Sequence, residues 1–307
     1  MTTASWRVTQ RVLKFIRALQ PDVFHVDGAD QALRLGIGIP WRLKVPLVLS
    51  VHDPHPHSGE SDWHISLTRK LLFRRARRFV LYNSAALGPF CRQNKIPLSR
   101  ARAVLMGAVQ LHGETPNEAD RDAGPVVLFF GRISPYKGLD VLYAAAPLVA
   151  RQVPGVRFVI AGRPIAGYEL PPAPALSRGG TLEIMADYIP NETARTLFES
   201  ARVVACPYLD ATQSAVILTS YGYGKPVVAT RVGGLPEYVH DEESGLLVDA
   251  GDSVALAAGL VRILQDEHLR QQLRSGIRAL ARGPLAWSNT ADELVDLYRG
   301  VIDPTTA

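Results

Sequence analysis

Short apolar segments alternate with helical segments along the chain. Asp22–Val26, Pro46–Val51 and Phe79–Tyr82 are apolar runs of strand length, whereas Thr9–Leu19 carries apolar residues three or four positions apart and ends before Pro21. A strand buried on both faces of a parallel sheet loses the alternation of apolar and polar residues. The pattern therefore predicts an α/β protein with parallel sheets.

The same alternation restarts after a polar stretch, Glu114–Asp122, which predicts a linker. The predicted domains are residues 1–122, residues 123–284 and a C-terminal helical segment, 285–307. The remaining predicted strands are Val126–Phe130, Arg157–Ala161, Leu182–Ala186, Val203–Pro207 and Pro226–Thr230. The remaining predicted helices are Ser66–Arg78, Leu139–Arg151, Ser214–Tyr223, a helix capped by Asp252 and running to Gln265, and Asn289–Val301.

Charge is distributed unevenly between the two parts of the chain. Residues 1–121 hold 18 Lys and Arg against 9 Asp and Glu, whereas residues 122–307 hold 16 against 20. The anion-attracting surface is therefore expected in the first part. No apolar stretch has the length of a membrane span or a signal peptide, and the two cysteines, Cys91 and Cys206, are expected to be buried thiols. These features predict a cytoplasmic protein.

The loop after Phe130 carries the strongest candidate chemistry. Ligands of such sheets bind at the carboxyl ends of the strands. Gly131, Arg132 and Lys137 lie in this loop, just before a predicted helix. A glycine permits close approach of a ligand to the backbone, and two cations near a helix N-terminus suit a diphosphate. A surface turn with two solvated cations would have the same sequence.

Two further loops follow predicted strands. Gly233 and Gly234 permit a tight turn after Thr230, and Glu237 either accepts hydroxyl groups of a ligand or begins a helix. The loop after Pro207 offers small and polar side chains to a ligand, although an ordinary helix cap would look the same. Its candidate ligand-binding residues are Asp210, Thr212, Gln213 and Ser214.

Several motifs in order resemble those of glycosyltransferase family 4, the glycosyl transferases group 1. They are GRISPYKG (131–138), AGRP (161–164), GYGKPVVAT (222–230), GGLPE (233–237) and SGLLV (244–248). The resemblance implies the GT-B fold, two Rossmann-like doubly wound domains facing a cleft, the first one incomplete here. It also implies transfer of a sugar from a nucleoside diphosphate sugar to a saccharide or lipid-linked acceptor, with retention of configuration and without a metal or other cofactor.

The resemblance assigns roles to individual residues. Arg132 and Lys137 match the basic pair that stabilises the departing diphosphate, and His52 resembles the histidine that faces the donor sugar. The loop Thr212–Ser214 is expected beside the sugar and phosphates. The final helix, with Tyr298, resembles one that returns to the first domain.

Two departures from the family pattern leave a second interpretation open. Ala211 and Thr219 stand where the family carries two glutamates, so Thr219 or Gln213 is expected to contact the ribose, and Asp210 could supply a displaced carboxylate. The sequence also begins without the opening βα units of the family, so either the true start lies upstream or the first domain is a reduced variant. The alternative is a non-catalytic or partner-dependent binding protein.

A histidine-rich segment follows the second predicted strand. His55, His57, Glu60 and His64 come soon after His52, but the intervening prolines disturb a helical ligand arrangement. We therefore expect an acceptor-site loop and no metal site.

The stretch Arg69–Arg78 contains six cations along an apolar helix face. An ordinary amphipathic helix with snorkelling arginines explains it, and so does contact with an anionic membrane surface. Nucleic acid is not expected as a partner because no aromatic stacking platform accompanies the charge.

Overall fold

The computed structural model describes residues 3–28, 42–54, 63–108 and 124–303. The chain divides into two compact units: unit 1 comprises Met1–Leu105 with Thr290–Ala307, and unit 2 comprises Met106–Asn289. The predicted domain limits, residues 122 and 284, stay predictions.

Unit 1 contains a parallel sheet with the strand order β1-β2-β3-β4. Its strands are β1 (Phe24–Asp27), β2 (Leu47–Val51), β3 (Arg78–Leu81) and β4 (Ala101–Ala103). Its helices are α1 (Thr3–Leu19), α2 (Trp63–Arg75) and α3 (Leu87–Asn94), followed by a 3-10 turn at Leu98–Arg100.

The core of unit 1 forms around β2, all of whose residues are buried. Phe73, Phe79 and Phe90 pack edge to face in this core, with ring centroids 5.4–5.6 Å apart. Such aromatic contacts favour burial of the strand between the helices.

Unit 2 contains a parallel sheet with the strand order β10-β9-β8-β5-β6-β7. Its strands are β5 (Val126–Phe130), β6 (Arg157–Ala161), β7 (Thr181–Met185), β8 (Val203–Cys206), β9 (Val227–Thr230) and β10 (Gly245–Val248). Its helices are α4 (Leu139–Gln152), α5 (Asn191–Ser200), α6 (Ala215–Gly222), α7 (Leu235–Tyr238), α8 (Ser253–Gln265) and α9 (Glu267–Arg282), and α10 (Trp287–Ile302) continues into unit 1.

The order of the unit 2 strands reverses between β5 and β8. Chain order runs from β5 outward through β6 and β7 on one side, and from β8 through β9 and β10 on the other. This is the doubly wound arrangement, and its ligands bind beyond the carboxyl ends of the strands at the reversal. The loops that follow β5 and β8 are therefore the expected ligand-binding loops.

Glycines permit close backbone contacts between these loops. Gly138, with φ +68°, lies so close to the loop after β8 that an added Cβ would be 2.0 Å from the carbonyl oxygen of Pro207. Gly233, with φ +50°, approaches the same loop from the β9 side, where an added Cβ would be 1.6 Å from the carbonyl oxygen of Ala211. Three loops thus meet at the carboxyl ends of adjacent strands.

Most predicted elements are confirmed, with shifted ends. The Asp252 side chain accepts hydrogen bonds from the amides of Val254 and Ala255 at 3.0 and 2.8 Å, which confirms the predicted cap of α8. The predicted basic helix to Arg78 was wrong at its end, because Arg78 enters strand β3. The predicted linker, Glu114–Asp122, lies outside the described residues.

Among the helices that the structure describes, we find none with the length and apolarity of a membrane span.

Gly138→Ala should destabilise the protein far more than Gly155→Ala. Both glycines have φ +68°, but a Cβ at Gly155 would meet nothing within 4 Å. We expect a loss of about 1 kcal/mol in the free energy of unfolding for Gly155→Ala, and more than about 2 kcal/mol for Gly138→Ala. Urea unfolding followed by circular dichroism measures both, and equal losses would show that the contact with Pro207 does not constrain the loop.

Candidate active site

Lys137 is a buried cation at the strand reversal. Its residue is 8% exposed and ends the 3-10 turn Pro135–Lys137 after β5. The ammonium Nζ donates a hydrogen bond of 2.8 Å to Oη of Tyr208, which follows β8, and lies 4.2 Å from the centroid of the Tyr208 ring. The contact therefore joins the two loops that the fold places at the reversal.

Tyr208 is a neutral partner for this cation. Burial holds the pKa of the Tyr208 phenol well above its usual value, so the side chain stays uncharged. Its Oη also lies 3.3 Å from Oγ of Ser214, and its carbonyl oxygen accepts a 2.5 Å hydrogen bond from the Thr230 hydroxyl. The phenol orients the ammonium without neutralising its charge.

The other predicted residues of the first loop lie beside Lys137 or at the surface. A Cβ at Gly131, where φ is +98°, would lie 3.8 Å from Nζ of Lys137, so the glycine leaves backbone close to the cation. Arg132 is exposed. The loop can thus present a buried and an exposed cation to one anionic ligand.

The predicted residues of the loop after β8 have different surroundings. Asp210 is exposed, whereas Thr212 and Gln213 are half-buried. The Oε1 atom of Gln213 is buried and has no hydrogen-bond partner among the described residues. Ser214 is buried and caps α6, where its Oγ accepts a 3.3 Å hydrogen bond from the amide of Ile217. Gln213 therefore offers an unused acceptor, while Ser214 has a structural role.

The remaining predicted donor-binding residues follow the same loops. Thr219 is half-buried within α6, Gly233 is the exposed glycine that touches the Ala211 carbonyl, and Gly234 is buried before α7. Glu237 is half-buried in α7, in the first turn of that short helix. A carboxylate there is stabilised by the helix N-terminus.

His52 lies in unit 1, directly after β2, in a polar cluster at the carboxyl edge of that sheet. Its Nε2 is 2.7 Å from Oδ1 of Asp27, the last residue of β1. Tyr82, directly after β3, donates a 3.1 Å hydrogen bond to the same Oδ1, and its ring centroid lies 4.7 Å from that of His52. The hydrogen bond from His52 lowers the pKa of Asp27 to about 2.

Sequence reasoning missed Tyr208, Asp27 and Tyr82. Asp27 ends β1, Tyr82 directly follows β3 and Tyr208 lies two residues after β8. All three are at the edge where ligands bind, so their place in the strand pattern was the available signal. No cluster of three metal-ligating residues occurs in the described parts of the chain. The histidine-rich segment 55–62, on which the metal interpretation depended, lies outside them.

Cys206, directly before the Tyr208 loop, is a buried thiol, as is Cys91 in unit 1. Burial raises the pKa of Cys206 to about 11, so it stays protonated at neutral pH and is a poor nucleophile. The expectation of two buried, unbridged thiols is confirmed.

Part of unit 2 is similar in sequence to known proteins. Residues 124–266 match the family model described as glycosyl transferases group 1. D-inositol 3-phosphate glycosyltransferase from Salinispora tropica is 35% identical over 186 residues, which are 58% of this chain and 38% of that protein. The protein of the same name from Saccharomonospora viridis is 36% identical over 183 residues, 57% of this chain and 42% of that protein. The match thus spans about two fifths of the length of these relatives.

Solved structures share the fold over nearly the whole chain. HepE from Anabaena, in complex with UDP-glucose, superposes with a TM-score of 0.73 at 20% identity and covers 95% of this chain and 82% of that one. Sucrose-phosphate synthase from Thermosynechococcus elongatus gives a TM-score of 0.71 at 19% identity, covering 96% of this chain and 78% of that one. The fold is α/β GT-B with two Rossmann-like units, as expected. Together the comparisons show the GT-B fold and a match of residues 124–266 to the group 1 glycosyl transferase model.

Proposed function

We propose that this protein transfers a sugar from a nucleoside diphosphate sugar to a saccharide or lipid-linked acceptor, with retention of anomeric configuration and without a metal or other cofactor. The observation that carries the proposal is the buried Lys137 ammonium at the strand reversal of a group 1 domain. A cation held there by a neutral phenol suits an anionic ligand at the site where such folds bind ligands.

In this mechanism Lys137 and Arg132 act on the leaving group. Negative charge develops on the diphosphate as the glycosidic bond breaks, and fixed cations stabilise it most when water is excluded. Lys137 is oriented by its hydrogen bond to Tyr208 before any ligand arrives. The exposed Arg132 supplies the second charge, and His52 contacts the donor sugar.

The named relatives give the first donor and acceptor to test. The Anabaena structure contains UDP-glucose, which makes uridine diphosphate sugars the first donors to test. The names of the D-inositol 3-phosphate glycosyltransferases indicate a phosphorylated polyol as another acceptor class to test.

Recognition of the donor without the two family glutamates is assigned to neighbouring polar groups. Ala211 is 4% exposed and cannot accept a hydrogen bond through its side chain, and Thr219 has no carboxylate. A ligand hydroxyl that donates to the buried Oε1 of Gln213 would satisfy an acceptor left without a partner in the described residues. Gln213 is therefore the proposed hydroxyl-binding residue, with Thr219 and Asp210 as further candidates.

The alternative function is a non-catalytic or partner-dependent binding protein. The replacement of both glutamates by Ala211 and Thr219 favours it. Such a protein would bind a donor without turnover, or bind none without its partner.

Nucleotide-sugar binding to Lys137→Met tests the proposed site. Methionine keeps much of the volume but removes the charge, so we expect binding of a uridine, guanosine or thymidine diphosphate sugar to weaken at least about tenfold, as the loss of a charged hydrogen bond predicts. Calorimetry with the three donor types measures this.

Lys225→Met is the matched control. Lys225 is also buried in unit 2, at 2% exposure, but its Nζ donates to the Glu199 carbonyl at 2.7 Å. It should lose stability and keep donor binding. Equal binding by Lys137→Met and wild type would refute the role of Lys137. Binding without transfer, or no binding at all, would favour the alternative function.

A second proposal concerns an anionic membrane surface and the basic face of unit 1, which we define as α1, residues 42–45 and α2. Arg75, at the end of α2, donates hydrogen bonds to the carbonyls of Leu43 and Val45 at 2.9 and 2.7 Å, and Arg17 of α1 donates to the Arg42 carbonyl at 3.3 Å. The two helices therefore end beside the same loop. The sequences of both helices contain no acidic residue.

Exposed apolar side chains on α1 favour a lipid surface over nucleic acid. Phe15 and Leu19 are 65% and 62% exposed, and Val8 is 49% exposed. The exposed cations Arg11 and Lys14 lie on the same helix. Such a helix can place apolar side chains among lipid tails while each cation near an anionic surface contributes about 1 kcal/mol. The Arg69–Arg78 stretch would add charge, although Arg75 also fastens the loop.

Flotation with vesicles tests this surface. We expect wild type to float with anionic phosphatidylglycerol vesicles but not with neutral phosphatidylcholine, and Phe15→Gln/Leu19→Gln to remain at the bottom. Leu98→Gln is the control because Leu98 is 60% exposed in the same unit but lies outside the basic face. Equal flotation with both vesicle types, or by the double variant, would contradict the proposal.

A further inference from the structure

A one-directional chain of hydrogen bonds runs through unit 1 to Asp27. Tyr298 Oη on α10 is 2.6 Å from His25 Nδ1, and His25 Nε2 is 2.9 Å from Ser50 Oγ. Ser50 Oγ is 2.8 Å from Tyr82 Oη, which in turn donates to Asp27 Oδ1 at 3.1 Å. Five side chains, from β1, β2, the residue after β3 and α10, are thus linked by successive contacts.

The charge of Asp27 fixes the direction of this chain. The pKa of Asp27 is lowered to about 2, with the hydrogen bond from His52 as the largest cause, so the carboxylate is ionised and can only accept. Burial raises the pKa of Tyr82, which keeps its phenol protonated and donating to Asp27. Burial lowers the pKa of His25, so its neutral ring donates from one nitrogen and accepts at the other.

One arrangement of the remaining hydrogens satisfies all four contacts, and Ser50 also hydrogen-bonds to Asp27. Because Tyr82 donates to Asp27, its oxygen accepts from the Ser50 hydroxyl. The Ser50 oxygen accepts from Nε2–H of His25, and Nδ1 of His25 accepts from the Tyr298 hydroxyl. All donors point along the chain toward the carboxylate, an arrangement in which neighbouring hydrogen bonds strengthen one another.

We propose that Asp27 is a positioning residue for His52, and that it holds the imidazole in the tautomer with hydrogen on Nε2. The carboxylate oxygen 2.7 Å from Nε2 can accept but not donate, so this nitrogen carries the hydrogen. In the neutral ring Nδ1 is then the acceptor, the atom that can take a hydrogen bond from a sugar hydroxyl. The hydrogen bond from a sugar hydroxyl to Nδ1 rests on the proposed function, in which His52 contacts the sugar.

Tyr82 restrains both members of the pair. It donates to the oxygen that His52 contacts, and its ring packs against the imidazole at 4.7 Å between centroids with an interplanar angle of 37°. The side chain of Asp27 is 66% exposed and would otherwise rotate in solvent. The hydrogen-bond chain behind it thus supplies the rigidity that an exposed carboxylate lacks.

Nitrogen NMR of histidine-labelled protein tests the tautomer directly. We expect His52, identified by its missing signals in His52→Gln, to show an Nε2–H imidazole in wild type and a mixture of tautomers in Asp27→Asn. Tyr82→Phe, which keeps the ring and removes the donor, should shift His52 in the same direction by less. Asp22→Asn is the matched control because Asp22 is an exposed carboxylate just before β1 and is not part of the hydrogen-bond chain. Unchanged His52 signals in folded Asp27→Asn would overturn the proposal.

Transfer kinetics separate this inference from the proposed function. If donor turnover is present, Asp27→Asn should lower kcat about 10- to 100-fold, as loss of an outer partner of a ligating histidine does, and leave nucleotide affinity within twofold. If wild type binds no nucleotide sugar, the proposed function fails while the NMR result still decides the role of Asp27. Unchanged kcat with an altered tautomer would refute only the link to catalysis.

Asp27→Asn should also differ from wild type in how its stability depends on pH in acid. The folded-state pKa of Asp27 lies below its usual value of 3.8, so its stabilising effect is present above about pH 4 and is lost as the pH falls toward 2. His52, Tyr82, Ser50 and His25 face the carboxylate and define this effect. The stability advantage of wild type over Asp27→Asn, measured by urea unfolding, should therefore shrink between pH 4 and pH 2. A constant difference would contradict the ion-pair geometry.

Discussion

The loops at the strand reversal of unit 2 accommodate the buried ammonium group of Lys137. A buried cation is costly unless polar atoms replace its water. Lys137 has the hydroxyl and the ring face of Tyr208 as partners, and neither carries a charge. The neighbouring Cys206 thiol stays protonated as well. The loops after β5, β8 and β9 must therefore keep their mutual positions closely, and Gly138 and Gly233 permit the backbone contacts that do so.

Most strand positions, and with them the positions of the candidate loops, were predictable because they depend on local sequence. Apolar runs such as Val126–Phe130 report burial on both faces, and the candidate loops follow from where those runs end. Two strands were not predicted. β4 has three residues and includes the charged Arg102, and β10 begins with Gly245, so neither is a continuous apolar run.

The partners of the predicted site residues could not be read from the sequence. Lys137 and Tyr208 are separated by 71 positions, and His25 and Tyr298 by 273. Hydrophobic periodicity reports which face of an element is buried but not which side chains meet across loops. The role of Ser214 shows the converse problem, because a helix cap and a ligand-binding hydroxyl have the same sequence signature.

The position of helix α10 at the end of the sequence affects the order in which the two units can fold. Unit 1 takes its residues from both sides of unit 2 in the sequence, and Tyr298 of α10 bonds to His25 in β1. A ribosome therefore produces every residue of Met106–Asn289 before the segment that completes unit 1. Since domains fold as units during synthesis, unit 2 can fold first, while His25 in the earlier-made β1 still lacks its hydrogen bond to Tyr298.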